Sequence, residues 1–223
     1  MNERKPLLVL YIVRHGQTAW NLDGRAQGHS DIPLDEEGFQ QALQVGMAFE
    51  EVPLGLVITS DLQRARQTAE QIAGSARTSM RSTPDLRERS FGRMEGRPYQ
   101  EIRAAFQLYE TDPDCDPLTT RIGDGESLVD VWYRVERFVN ELDELAGHIA
   151  VVSHGGTCGV LLAQLLGGTH ATARSFRFGN TAISEVHRQP DGHWTLTRYA
   201  DTAHLELASA PMIDANHTAD PKA

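Results

Sequence analysis

The sequence has few cysteines, no long apolar run and a deficit of basic residues. Its two cysteines, Cys115 and Cys158, do not form a metal-binding or redox pair, which favours free thiols and a cytoplasmic location. No apolar run approaches the roughly 20 residues that a membrane span needs. The net charge of −10, from 21 basic and 31 acidic residues, disfavours nucleic acid and anionic membranes as partners.

The length and the composition predict one globular domain. The 223 residues are enough for one substantial core, and 40% hydrophobic with 23% charged residues is an ordinary balance. Strand-like and helix-like stretches alternate, which indicates an α/β fold. No repeat or long linker divides the chain, so residues 1–207 are predicted to form a single domain. Periodicity is lost from Ala208, and residues 208–223 are predicted to be a disordered tail.

Short apolar, partly β-branched runs predict the strands. These runs are residues 7–13, 56–59 and 149–152, with a weaker strand near 79–82. A hairpin is predicted for 182–187 and 193–199, because Pro190, Asp191 and Gly192 between them form a turn signal.

Three of the predicted helices carry a recognisable start. The first extends from Asp35 to about Glu51, and its apolar face is predicted to consist of Phe39, Ala42, Leu43 and Met47. The second begins at Ser60, which with Gln63 fits a capping box. The longest begins at Ser127, which with Asp130 fits the same pattern. Residues 113–125, rich in Pro, Asp, Thr and Gly, predict a surface loop.

Two predicted strands end in a histidine followed by glycine. His15 and Gly16 follow the first strand, and His154 and Gly155 follow the strand at 149–152. Because ligands of open α/β sheets bind beyond the carboxyl ends of the strands, we expect both histidines in one crevice. Glycine lets backbone N–H groups approach a ligand, and a helix that starts there suits phosphate.

Two arginines are expected at the same edge of the sheet. Arg14 precedes His15, and Arg64 lies near the start of the helix that follows residues 56–59. A guanidinium group binds phosphate through two parallel hydrogen bonds and stays charged. The other histidines lack this context and are interpreted as ordinary surface residues: His29, His148, His170, His187, His193, His204 and His217.

Residues 10–21, LYIVRHGQTAWN, closely resemble the signature of the phosphoglycerate mutase-like branch of the histidine phosphatase superfamily. Further stretches fit the family in order, namely residues 27–34, 60–65, 86–92, 125–127 and 153–156. The resemblance covers the chain from about Leu7 to about Tyr199. It implies a three-layer α/β/α fold with a mixed, mostly parallel central sheet, and it implies a phosphoric monoester hydrolase.

The resemblance also implies a role for each site residue. His15 would be the nucleophile that is transiently phosphorylated, and Glu88 would protonate the leaving oxygen and later activate water. Arg14, Arg64 and His154 would hold the phosphoryl group. The implied binding residues further include Asn21 and Gly155 for the phosphate, and Gln27 and Gly28 for the substrate. Only the family alignment favours Glu88, because Asp85 and Glu95 are carboxylates close to it in the sequence.

We therefore expect a phosphatase that hydrolyses small-molecule phosphomonoesters through a phosphohistidine. Family mutases carry a long insertion that helps to close over their bisphosphorylated intermediate. Residues 96–125 look shorter and loop-rich. A more open pocket admits water, so hydrolysis is favoured over return transfer of the phosphoryl group. A cofactor-dependent phosphoglycerate mutase is the alternative; an inactive binding protein and a metal hydrolase are further ones. All five core residues are present, which argues against the binding protein.

No metal or other cofactor is expected. The two motif histidines lack helical ligand spacing, and the adjacent arginines would repel a cation. The expected partner is a small phosphorylated metabolite, and a homodimer is left open.

Overall fold

A computed structural model describes residues 7–110, 116 and 118–207. Six strands form one sheet: β1 (Leu8–Arg14), β2 (Leu54–Ser60), β3 (Met80–Thr83), β4 (Gly147–Ser153), β5 (Ile183–Arg188) and β6 (Trp194–Asp201). The helices are α1 (Ala19–Leu22), α2 (Glu36–Ala48), α3 (Gln63–Ser75), α4 (Tyr99–Glu110), α5 (Leu128–Glu141), α6 (Gly155–Leu165), α7 (His170–Ala173) and α8 (Ala203–Leu207). The predicted tail at 208–223 and part of the predicted loop at 113–125 lie outside the described residues.

The sheet is mixed and mostly parallel, as predicted. Its strand order is β3-β2-β4-β1-β5-β6. The first four strands run parallel, β5 is antiparallel to β1, and β6 is antiparallel to β5 in the expected hairpin. In the centre Arg14 pairs with Ser153, so β1 and β4 end at the same edge. The residues that follow them, His15 and His154, are therefore neighbours.

Alternate residues of the strands pack against helices on opposite faces of the sheet. Leu10 and Ile12 belong to a core formed with α5 and α6, and Tyr11 and Val13 belong to a core formed with α2 and α3. This alternation is the two-residue period of a β-strand with both faces buried. The predicted three-layer fold is confirmed. In the part of the chain that the structure describes, no helix has the length and apolar character needed to cross a membrane.

The predicted apolar face of α2 is correct only at Ala42, which is fully buried. Asp35 caps the helix as expected, since its carboxylate accepts from the Gly38 N–H at 2.7 Å. Phe39, Leu43 and Met47, however, are 43%, 37% and 59% exposed. The helix instead packs on its small residues. A Cβ at Gly46 would lie 2.9 Å from the Gln71 carbonyl of α3, so close backbone approach decides which face is buried.

The predicted start of α3 is also wrong. Ser60 is the buried last residue of β2, and its hydroxyl accepts from the Leu62 N–H at 3.3 Å rather than forming a capping box. The helix begins at Gln63, whose backbone N–H donates to the Asp31 carboxylate at 2.6 Å. A distant carboxylate thus replaces the local cap that the sequence suggested.

The region 96–125 is less loop-rich than predicted, because α4 occupies its first half. The signal was present in the sequence: Pro98 precedes the helix, and Tyr99, Ile102 and Phe106 recur at helical spacing. Ile102 is fully buried in a small core with Phe91, Ala26 and Ile122. This core anchors α4 beside the carboxyl edge of the sheet.

Candidate active site

His15 lies immediately beyond β1 and is only 3% exposed. Its backbone N–H donates to the Ser153 carbonyl at 2.9 Å, which ties it to the end of β4. Its ring Nδ1 is 2.6 Å from the Gly16 carbonyl. Since a carbonyl only accepts, Nδ1 carries the proton and Nε2 keeps its lone pair. Gly16 is required here because a Cβ would lie 2.4 Å from the Gly38 carbonyl.

The surroundings of His15 keep its imidazole neutral. Its pKa is lowered well below the usual value of 6.5, first by burial and then by the charges of Arg64 and Arg14. Protonation of Nε2 would remove the lone pair that this atom needs as a nucleophile. A neutral imidazole with a free Nε2 is competent to attack phosphorus at neutral pH.

His154 lies beyond β4, with its ring centroid 5.1 Å from that of His15. Its Nδ1 accepts from Arg64 Nε at 3.1 Å, so the proton lies on Nε2. Burial, and after it the charge of Arg64, lowers the pKa of His154 well below 6.5. Its Nε2 is buried and lacks a hydrogen-bond partner among the described residues. A buried donor without an acceptor beside the nucleophile is suited to bind an oxyanion.

Arg14 and Arg64 differ in their hydrogen-bond partners. Arg14 donates through Nη1 to the Phe178 carbonyl at 2.7 Å, while its buried Nε has no partner among the described residues. Arg64 is fully buried and donates to the carbonyls of Ser30 and Gly28 at 2.8 Å each. Burial lowers the pKa of Arg64 to about 10, so it stays charged at neutral pH. Arg64 therefore orients His154 and residues 28–30 as well as supplying charge.

Of the three carboxylates Asp85, Glu88 and Glu95, Glu88 is the one that lines the cavity that contains His15. It accepts from the backbone N–H groups of Arg89 at 2.9 Å and Gly156 at 3.1 Å. The alternatives are engaged elsewhere: Glu95 accepts from the His29 backbone N–H and from three further donors of the neighbouring loops. Asp85 pairs with Arg137 at 2.5 Å. The geometry thus favours Glu88 over both alternatives.

A buried arginine that the sequence analysis missed holds the backbone of Glu88. Arg134 of α5 is 8% exposed and donates to the carbonyls of Asp85, Arg87 and Glu88 at 2.7, 2.9 and 3.3 Å. It also makes two 2.9 Å hydrogen bonds to the Glu126 carboxylate. The available signal was its position on the buried face of α5, between Val131 and Phe138.

His29 is not the ordinary surface residue that the sequence suggested. Its Nε2 lies 2.9 Å from the Glu88 carbonyl and 3.5 Å from the Glu126 carboxylate. Burial by itself raises the pKa of Glu126, but hydrogen bonds from His29 and Arg134 hold it at about 2. The segment that carries Glu88 is therefore fixed by an ionised, hydrogen-bonded cluster.

The remaining predicted site residues line the same cavity: Asn21, Gln27, Gly28 and Gly155. The Asn21 Oδ1 accepts from the Thr18 backbone N–H at 3.2 Å and from Asn180 Nδ2 at 3.4 Å. Asn180, which the sequence analysis missed, also donates to the His15 carbonyl at 3.0 Å. Gly155 begins α6, so the positive end of an 11-residue helix faces the site. All predicted residues are thus brought together.

The cavity has a volume of about 860 Å³, far more than a phosphate group occupies and near the upper end for small-molecule pockets. His15, Arg14 and Arg64 lie at its buried end. Its remaining wall is unusually rich in aromatic and arginine side chains: Trp20, Arg25, Arg89, Phe91, Tyr99, Arg103, Phe106, Arg174, Phe176, Arg177 and Phe178. Within the described residues, no group of three or more His, Cys, Asp or Glu side chains could hold a metal ion.

The model of the histidine phosphatase superfamily, branch 1, matches residues 10–202. The chain belongs to this superfamily. Among the relatives of this histidine phosphatase is the probable phosphoglycerate mutase GpmB of Yersinia pestis, 34% identical over 214 residues and covering 93% of this chain and 98% of the relative.

Solved structures of phosphatases share the fold of this histidine phosphatase. The mycobacterial glucosyl-3-phosphoglycerate phosphatase is 28% identical with a TM-score of 0.75, over 88% of this chain and 100% of that one. The alpha-ribazole phosphatase of Shigella flexneri is 28% identical with a TM-score of 0.77, over 86% of this chain and 96% of that one. These names describe phosphatases that act on different substrates.

Proposed function

We propose that this histidine phosphatase hydrolyses small phosphomonoesters in two steps, with His15 as the nucleophile. The observation that carries the proposal is the neutral, buried His15 with a free Nε2, beside the donors Arg14 Nε and His154 Nε2, which lack hydrogen-bond partners in the described part of the chain. These donors and the positive end of α6 suit the charge that spreads over the equatorial oxygens during phosphoryl transfer. The partner is then a small phosphorylated metabolite, and the low cysteine content supports a cytoplasmic location.

In the first step His15 Nε2 attacks phosphorus and the ester P–O bond breaks. The leaving oxygen takes a proton from Glu88, so an alcohol departs and a phosphohistidine remains. In the second step a water oxygen attacks that phosphorus while the Glu88 carboxylate takes a proton from the water. The P–N bond breaks, inorganic phosphate leaves and the lone pair on Nε2 is restored.

The test is the removal of the nucleophile. His15→Ala should reduce kcat by more than about a thousandfold, because no neighbouring group can replace the ring nitrogen. Rapid-quench labelling of the wild type with a ³²P-labelled ester should trap an acid-labile, base-stable phosphoenzyme that the variant lacks. Arg66→Gln, on the exposed face of α3, is the matched control and should behave like the wild type. Turnover by His15→Ala near the wild-type rate would refute the proposal.

A phosphoglycerate mutase is the second candidate, and the name of the Yersinia pestis relative favours it. A mutase passes the phosphoryl group from His15 back to an acceptor hydroxyl instead of to water. Assays on 3-phosphoglycerate with and without 2,3-bisphosphoglycerate separate the two candidates. Release of inorganic phosphate supports the phosphatase, and formation of 2-phosphoglycerate that depends on the bisphosphate supports the mutase.

A further inference from the structure

The exposed end of the cavity contains positive charge that the phosphoryl site does not use. Tyr99, Arg103 and Phe106 lie on one face of α4 at helical spacing and line the cavity. Arg177, in the segment between α7 and β5, lines it as well. Arg103 and Arg177 are exposed, whereas His15, Arg64 and His154 are buried. The cavity therefore has a second cationic region at its mouth.

The segment that carries Arg177 is held in place. The Tyr199 hydroxyl of β6 accepts from the Arg177 backbone N–H at 2.5 Å and donates to its carbonyl at 2.8 Å. The rings of Phe176 and Phe178 pack on Tyr199, with centroid distances of 5.8 Å in both cases. Arg177 Nη1 donates to the Phe176 carbonyl at 2.9 Å and to that of Arg174. This guanidinium is thus pre-positioned, which lowers the cost of binding an anion.

The charges at the mouth differ from several exposed arginines of this acidic protein that are neutralised by carboxylates. The exposed arginines that pair with a carboxylate within 4.0 Å are Arg25, Arg81, Arg93, Arg121 and Arg137. Among the residues that the structure describes, no carboxylate lies within that distance of Arg103 or Arg177. Burial and then Glu88 raise the pKa of the Tyr99 phenol, which lines the same cavity, while Arg89, Arg177 and Arg103 lower it.

Aromatic side chains line the same cavity as the two cationic regions. Phe91 is 6% exposed, and its ring contacts that of Tyr99 at a centroid distance of 6.2 Å. Phe106 is covered on one side by the Arg89 guanidinium, 4.7 Å from its centroid. Flat apolar walls of this kind favour a ring or another flat apolar group in the ligand.

We propose that Arg103, Arg177 and the Tyr99 hydroxyl form a second anion-binding subsite for the leaving group of the substrate. The substrate class is then a phosphate monoester of a hydroxy acid, in which a flat apolar body separates the ester oxygen from an acidic group. The inference rests on the proposed phosphatase activity, because the leaving group is defined by that reaction. The subsite binds and positions the substrate, whereas the chemistry remains at His15.

The test compares 4-carboxyphenyl phosphate with 4-carbamoylphenyl phosphate, which has the same size without the charge. The amide withdraws electrons more strongly than the carboxylate, so leaving-group chemistry alone would favour the amide ester. We expect kcat/KM to be higher for the carboxylate ester by about 10- to 100-fold, the usual value of charged hydrogen bonds. Both Arg103→Gln and Arg177→Gln should reduce this ratio about tenfold, while Arg66→Gln should preserve it.

The amide ester also separates failure of the inference from failure of the proposed function. If the wild type hydrolyses both esters equally, or if the preference survives in both variants, the subsite is refuted while the phosphatase stands. If neither ester yields a phosphoenzyme, the subsite is refuted, while the proposed function is decided by the ³²P labelling of His15. The proposed flat apolar body of the substrate is tested by comparing two inhibitors: 4-carboxybenzylphosphonate, which contains a ring, and 4-carboxybutylphosphonate, which contains an alkyl chain instead. The ring compound should bind at least threefold more tightly, and equal inhibition constants would contradict that part.

Discussion

Replacing Glu88 with glutamine should separate the acid role of this residue from its structural role. Glu88 lines the cavity, and its carboxylate accepts backbone N–H groups at 2.9 and 3.1 Å. An alkyl phosphate leaves as a strongly basic alkoxide and needs a proton in the transition state, whereas p-nitrophenyl phosphate leaves as a weakly basic phenolate. Glu88→Gln should therefore slow phosphorylation by alkyl esters by roughly 10²- to 10⁴-fold, the usual contribution of a positioned acid. The p-nitrophenyl ester should lose much less.

The assay for this prediction is single-turnover phosphorylation measured by rapid quench with both esters. Steady-state kcat is unsuitable, because the same residue would activate water in the second step. Asp85→Asn is the matched control: its carboxylate pairs with Arg137 rather than facing the cavity, so neither ester should be slowed by more than a few fold. Equal losses on both esters in Glu88→Gln would show that Glu88 only shapes the site, and the acid would then have to be sought elsewhere.

Three further predictions concern pH and metal ions. Glu126, with a pKa of about 2 against an ordinary 4.5, stabilises the fold above about pH 5 and loses this contribution as the pH falls towards 2. Urea unfolding across that range should show wild-type stability falling by up to about 3 kcal/mol more than that of Glu126→Gln; parallel curves would contradict this. The pKa of His15 lies well below 6.5. The rate of single-turnover phosphorylation, corrected for ionisation of the substrate, should therefore not decline as the pH falls through 6.5. A decline with a midpoint near 6.5 would mean that His15 is protonated in this range. Dialysis against EDTA should leave activity unchanged, because Arg14 and Arg64 supply the positive charge, and loss that one divalent ion restores would refute this.

Much of the buried end of the site could be predicted from the sequence because its signals are local. A strand that ends in His-Gly places the histidine at the carboxyl edge of a sheet, and the pairing of β1 with β4 brings His15 and His154 together. The capping box of Ser127 and Asp130 likewise lies within four residues and is present in the structure. Glu88 needed the family resemblance, since Asp85 and Glu95 are also close to it in sequence and only the structure shows which of the three lines the cavity.

By itself the sequence determined the alternation of strands and helices, the two histidines and the two arginines at one edge, and the acidic surface around them. Tertiary structure decided which face of α2 is buried, because the close approach of Gly46 to α3 outweighs the apolar side chains of Phe39 and Met47. It also decided that Arg134 holds Glu88 from 46 residues away and that Arg64 orients His154 from 90 residues away. Helix and strand periodicities report only which side of an element is apolar. The partner of a buried charge depends on which distant segments the fold brings within hydrogen-bond distance, and a single sequence does not encode that choice locally.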